Sequence, residues 1–266
     1  MTENTAPDPV VLLAVDGPVA TVTLNRPASR NAISGALLTR LGEAMAAVEA
    51  NDEVRAAILT GADPAFCAGV DLKELGQQTS VLREAASGGT GPWAPVSKPV
   101  IAAVNGAAVT GGLELVLNCD IVICSERAVF ADTHARVGVL PGWGLSVLLP
   151  LAVGRSRARQ MSFTGDFLAA PQALTAGLVS EVVPHADLLG RVREIAAAIA
   201  GNDARAVQAL LASYRQVEAE VVAGGFAAEE RAARAWSQSG LDLAETGRRR
   251  AAVTERGRAQ AGRGQA

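Results

Sequence analysis

Val104-Asn105-Gly106-Ala107-Ala108-Val109-Thr110-Gly111-Gly112-Leu113-Glu114-Leu115 carries an apolar strand through small residues and a doubled glycine into a helix. A strand that turns this way leaves the first helical N–H groups without intrahelical partners, aimed at whatever lies beyond that end. Glu114 then falls on the first helical turn, beside those donors. A second stretch, Ala65-Phe66-Cys67-Ala68-Gly69-Val70-Asp71-Leu72, follows the same plan. Two such ends facing each other could give two donors to one oxygen, as a carbonyl that gains charge in a transition state requires. Glycines at strand–helix junctions also serve tight turns and close packing, and a first-turn Glu also stabilises a helix dipole.

Working outward, Val10–Val15, Ala20–Leu24, Ala56–Thr60 and Val100–Val104 read as strands, and Ser34–Ala50 has helical spacing. That alternation predicts an α/β fold. Between Gln77 and Pro99 the Gly-, Pro- and Ser-rich run predicts a surface loop of poor order. From Asp187 the chain turns Ala-rich and helical, with Asp187 as N-cap, Gly201 as stop, and further helices near Asp203–Ala223 and Ala227–Ser237. The expected division is a core over residues 1–186 and a helical region over 187–266, the latter packing against a neighbour. The basic tail RRRAAVTERGRAQAGRGQA reads as a solvated end.

Composition narrows the functions. The 266 residues are 49% hydrophobic and 19% charged, enough to build one substantial core. A net charge of -3 argues against sequence-independent nucleic-acid binding, which depends on neutralising phosphates. Cys67, Cys119 and Cys124 cannot all pair and show no metal spacing, so neither a disulfide framework nor a metal site is expected and a cytoplasmic location fits. No segment approaches the roughly 20 apolar residues of a membrane span, and residues 1–9 lack the pattern of a secretory signal. No G-x-G-x-x-G follows an early strand and no P-loop is present, which sets aside dinucleotide and NTP chemistry.

Asn25-Arg26-Pro27 with Asn31-Ala32, then FCAGVDL, KPVIAAVNG, GGLEL, NCDIVICSE and FADTHARVGVLPGWG, resemble the crotonase (enoyl-CoA hydratase/isomerase) superfamily in order and spacing, from about Ala20 to Val183. The resemblance implies a spiral of ββα repeats with a helical C-terminal region, assembly as a homotrimer or homohexamer, an acyl-CoA thioester as partner, and no cofactor beyond the coenzyme A of the substrate. It implies oxyanion donors at Val70 and Gly111, of which Gly111 is the more demanding position. It further implies that Ala68, Val70, Asp71, Leu72 and Lys73 line the CoA pocket, that Arg26 lies near the CoA phosphates, and that Gly142 and Trp143 approach the acyl chain. A core aromatic is the other reading of Trp143.

Hydratases of the family use two glutamates. Glu114 matches the first, but twenty residues further on His134 occupies the place of the second. Imidazole exchanges protons near pH 7 and can substitute for the missing acid/base. If Phe130–His134 is extended, Asp132 and His134 share a side and Asp132 can orient the ring. His185, in VVPHADLL before a helix, reads as a surface or capping residue. The leading expectation is therefore an enoyl-CoA hydratase with Glu114 as acid/base. A double-bond isomerase working with a single carboxylate, and an acyl-CoA-binding homologue with little activity, are the alternatives.

Overall fold

The computed structural model describes residues 9–71, 91–238 and 249. Among the described residues ten strands form two sheets. The larger is ordered β1 (Val11–Asp16), β2 (Val19–Leu24), β3 (Ala56–Gly61), β5 (Val100–Val104), β7 (Ile121–Ser125), β10 (Glu181–Val183). The smaller is ordered β4 (Ala65–Cys67), β6 (Ala107–Val109), β8 (Val129–Ala131), β9 (Leu168–Ala169). β1 pairs antiparallel with β2, and from β2 to β10 the large sheet is parallel. Each of the pairs β3–β4, β5–β6 and β7–β8 sends its first strand to the large sheet and its second to the small one. This is the predicted spiral of repeats.

Every residue of β3 and β5 is buried, as a parallel sheet covered on both faces requires. The alternation of side chains decides which cover each one meets. Ala56, Ile58, Ile101, Ala103 and Ile123 pack on Leu188, Val192 and Ala196 of a C-terminal helix. Ala57, Leu59, Ala102 and Val104 face the main core, shared with Leu37, Leu41 and Met45 of helix α1 (Gly35–Ala50). Ser34 caps α1, its hydroxyl accepting the Leu37 N–H at 3.1 Å.

The short helices α2 (Gly111–Leu117) and α3 (His134–Val137) follow β6 and β8. Then come α4 (Leu145–Val153), α5 (Arg155–Thr164), α6 (Ala170–Thr175), α7 (Leu188–Ala200), α8 (Ala204–Val221) and α9 (Gly225–Gln238). Asp203 caps α8, accepting the Ala206 N–H at 2.8 Å. Asp187 stands at the N-cap position of α7 but makes no side-chain cap, because a 3-10 turn over His185–Asp187 leads into the helix and holds it in helical backbone.

Part of the expected loop is built in rather than loose. Its residues 77–90 lie outside the described residues, but Pro92, Val96, Lys98 and Pro99 are buried. The Lys98 ammonium donates to the carbonyls of Val48, Glu49 and Asn51 at 2.7, 2.7 and 2.8 Å, closing the C-terminus of α1. Unpaired carbonyls at a helix end attract a cation, which is how a lysine is tolerated at this depth. Among the described residues no helix is long and apolar enough to cross a membrane.

Candidate active site

β4, β6 and β8 lie side by side and parallel, so the three segments that leave their carboxyl ends emerge along one edge of the small sheet. The first carries Val70, the second Gly111 and Glu114, the third Asp132 and His134. Neighbouring strands are separated by roughly 5 Å, which brings these groups within reach of one small molecule.

Val70 forms an isolated bridge with Ile33. Ile33 donates to the Gly69 carbonyl and Asp71 donates to the Ile33 carbonyl, each at 2.8 Å, so the N–H of Val70 between them points the other way. In the second segment Thr110 sits at φ 56, ψ -114, a conformation that a β-branched residue adopts at a cost. It is held by its N–H on the Ala131 carbonyl at 2.8 Å and by a hydroxyl contact with Thr133 at 2.6 Å. Gly111 opens α2 immediately afterwards. Neither the Val70 N–H nor the Gly111 N–H has a hydrogen-bond partner among the described residues. The backbone nitrogen of Gly111 lies 3.6 Å from where a Cβ on Gly69 would stand, so the segments touch.

Position 112 is held to glycine more strictly than position 111. A methyl group on Gly112 would overlap the Cys67 carbonyl, whereas one on Gly111 would meet only side-chain atoms of Ile33, Val70 and Trp143 at 3.1, 3.4 and 3.6 Å. Gly112 lets α2 sit directly on the end of β4.

Glu114, His134 and Asp132 form a buried chain. His134 Nε2 is 3.5 Å from Glu114 Oε2, and His134 Nδ1 is 2.6 Å from Asp132 Oδ1. The expectation that Phe130–His134 is one extended run is corrected: β8 stops at Ala131 and His134 begins α3. Asp132 nevertheless reaches the ring, because its carboxylate also accepts the His134 N–H at 3.1 Å across the turn. Burial alone opposes charge on the imidazole. The hydrogen bonds and charges of Asp132 and Glu114 outweigh it and push the His134 pKa up to about 10. Asp132 is itself desolvated, yet its contacts with His134 and Ser162 hold its carboxyl below the usual range. His134 thus lies between two carboxyl groups that favour its charged form.

The other oxygen of Glu114 is fixed by main chain. Oε1 accepts the N–H groups of Gly142 and Trp143 at 3.1 and 2.8 Å. Asn118, one turn along α2 from Glu114, donates to the Trp143 carbonyl at 2.9 Å, so α2 grips the loop from both sides of that residue. Trp143 is buried in the main core, as one reading of it had it, and its ring borders Gly111.

Other expected residues divide. The Arg26 guanidinium donates to the Ala32 carbonyl and pairs with Asp71 at 3.1 Å, bracing the 26–33 turn against the 68–71 segment. Asp71 is thereby a buried strut, while Ala68 is exposed. Leu72 and Lys73 lie outside the described residues. His185 is neither a cap nor a free surface residue; it bridges Ser125 Oγ at 3.2 Å and Asp63 Oδ2 at 3.0 Å. Sequence reasoning did not reach Asn118, or Glu229 on α9, which contacts the same loop.

The chain matches the enoyl-CoA hydratase/isomerase family over residues 15–245. It is similar to the mitochondrial enoyl-CoA hydratase of Pongo abelii, 38% identical over 209 residues, covering 76% of this chain and 72% of that one. The short-chain-enoyl-CoA hydratase of Clostridium acetobutylicum is 37% identical over 203 residues, covering 74% and 78%. Among solved structures, the enoyl-CoA hydratase from Mycobacterium tuberculosis H37Rv superposes with a TM-score of 0.80 at 54% identity, covering 86% of this chain and 99% of that one. The protein belongs to the enoyl-CoA hydratase/isomerase family.

Proposed function

We propose that the protein adds water to the double bond of a 2-enoyl-CoA, with Glu114 as the base and the His134 imidazolium as the acid. The observation that carries this is the buried contact of Glu114 Oε2 with His134 Nε2 at 3.5 Å, beside two N–H groups that have no partner among the described residues. Water loses a proton to Glu114 as its oxygen bonds to the β-carbon. The electron pair moves through the α-carbon to the thioester oxygen, where the N–H groups of Val70 and Gly111 stabilise the charge. Removing one such donor costs roughly 3–4 kcal/mol in known cases. As the enolate collapses, the α-carbon takes a proton from His134. Glu114 now carries a proton and His134 lacks one, and their direct contact returns it, restoring the starting state.

This cycle moves protons and leaves no net change in redox state, so our reading calls for no metal and no redox cofactor. The partner is an acyl-CoA thioester, with Gly142 and Trp143 toward the acyl chain. The helical region from residue 187 is read as the surface for other copies in a trimer or hexamer. In support, Leu210, Tyr214, Val217 and Val221 form an exposed apolar stripe on α8. A cytoplasmic location accords with Cys67, Cys119 and Cys124 as free thiols.

Spectrophotometric loss of the conjugated enoyl thioester of crotonyl-CoA tests the reading. Its disappearance with formation of the 3-hydroxyacyl product is the expected result. Migration of a 3-enoyl double bond without hydration identifies an isomerase instead, and binding with neither reaction identifies an acyl-CoA-binding homologue.

A further inference from the structure

Glu229 lies on α9, in the C-terminal region, yet its carboxylate is buried against the loop that fixes Glu114. Its Oε1 accepts the Gly144 N–H at 2.6 Å, and its Oε2 accepts the Ser146 N–H. These are the unpaired donors at the start of α4, so the carboxylate caps that helix from outside. Gly144 adopts φ 87 and packs against the ring of Phe226, also on α9. At the other end of α9 the Trp236 indole N–H donates to the Gly138 carbonyl at 2.9 Å, just beyond the helix that begins with His134. α9 therefore holds the 138–146 segment at both ends, and the middle of that segment supplies the Gly142 and Trp143 N–H groups on Glu114.

The geometry points to Glu229 as a positioning residue for the reaction: through the Gly144 and Ser146 amides it sets the loop whose Gly142 and Trp143 amides aim the Glu114 carboxylate at the substrate water. This rests on the hydratase reading of Glu114. A carboxylate kept at this depth is a poor choice for stability alone, because burial works against its charge and raises its pKa, with the like charge of Glu114 adding to the effect. What it offers over an apolar residue is two acceptors of fixed direction. An error of about 1 Å in aiming a base is enough to cost roughly a hundredfold in rate.

The test combines three measurements on Glu229→Gln: kcat for crotonyl-CoA hydration, Kd for the unreactive butyryl-CoA, and amide exchange of peptides covering residues 140–147 and 111–117. The amide of Gln keeps one acceptor and turns a donor toward the other N–H. The expected result is a fall in kcat of about 10- to 100-fold, with Kd within about threefold and exchange about tenfold faster in 140–147 but unchanged in 111–117. Glu229→Asp, which keeps the charge but retracts it, is expected to lose less kcat, and it serves if the Gln variant fails to fold. Wild-type kcat, or unchanged exchange in 140–147, overturns the positioning role. Equal losses in kcat and binding with faster exchange throughout also overturn it, since they describe only a weakened fold. If the wild-type protein hydrates nothing, the hydratase reading fails by itself, while the exchange data still decide whether Glu229 sets the loop.

Discussion

The protein has two histidines, and each bridges two side chains supplied by different segments of the chain. His134 joins Asp132 to Glu114 behind the edge of the small sheet, where all three are buried. His185 joins Ser125 to Asp63 beyond the carboxyl ends of β7 and β3, and the Asp63 side chain is 63% exposed. On paper the second cluster is the more suggestive, since Ser, His and Asp in a hydrogen-bonded row resemble a nucleophilic triad. Its serine, however, has no accessible surface and accepts the Arg127 N–H at 3.1 Å, so no substrate can reach it. The first cluster lacks a nucleophile but sets an imidazole, its charged form favoured, between two carboxyl groups and beside backbone donors with no partner among the described residues. Depth, partner charge and access distinguish a reactive histidine from a tie between strands; residue types alone do not.

Five measurements test this contrast. The largest effect is expected from Glu114→Gln, which removes the base and one of the carboxylates facing His134; kcat for crotonyl-CoA should fall by about 10³- to 10⁴-fold in a steady-state assay. Asp132→Asn leaves the ring without its orienting charge and should lower kcat by about 10- to 100-fold, while moving the alkaline limb of the pH–rate profile toward neutrality. That limb gives the third effect. The pKa of His134 is raised from 6.5 to about 10, so the proton donor persists through neutral pH and is lost above 10, with kcat falling about tenfold per further unit. Stability follows the same sign: the ion-paired histidine contributes fully below about 6.5, and that contribution is lost as the pH rises through about 10, which thermal unfolding at graded pH can follow. The smallest effect belongs to His185→Ala. It should leave kcat within about twofold and, with a partner so exposed, lower stability by no more than about 1 kcal/mol in a denaturant titration.

The sequence was most readable where one local rule sufficed. Strands β2, β3 and β5 followed from apolar runs, α1 from its spacing, and Glu114 and His134 were picked out by their motifs. The failures share a cause: each depended on a distant backbone group. Lys98 looked like part of a loop because the carbonyls it closes belong to residues 48–51. The constraint on Gly112 left no local sign, because the Cys67 carbonyl, which forbids a side chain there, is brought in only by the pairing of β4 with β6. The Gly142 and Trp143 amides that orient Glu114, the Asn118 grip, and Glu229 leave no motif, since main-chain donors are present at nearly every position and only tertiary packing selects among them.

On the proposed mechanism, His134 supplies the proton a second carboxylic acid would otherwise provide. The most direct measurement is kcat for crotonyl-CoA hydration by His134→Ala, taken together with its Kd for butyryl-CoA. The expected result is turnover reduced about 10²- to 10³-fold with binding within about threefold of wild type. Unchanged turnover would contradict the claim and leave His134 as a buried structural partner of Asp132.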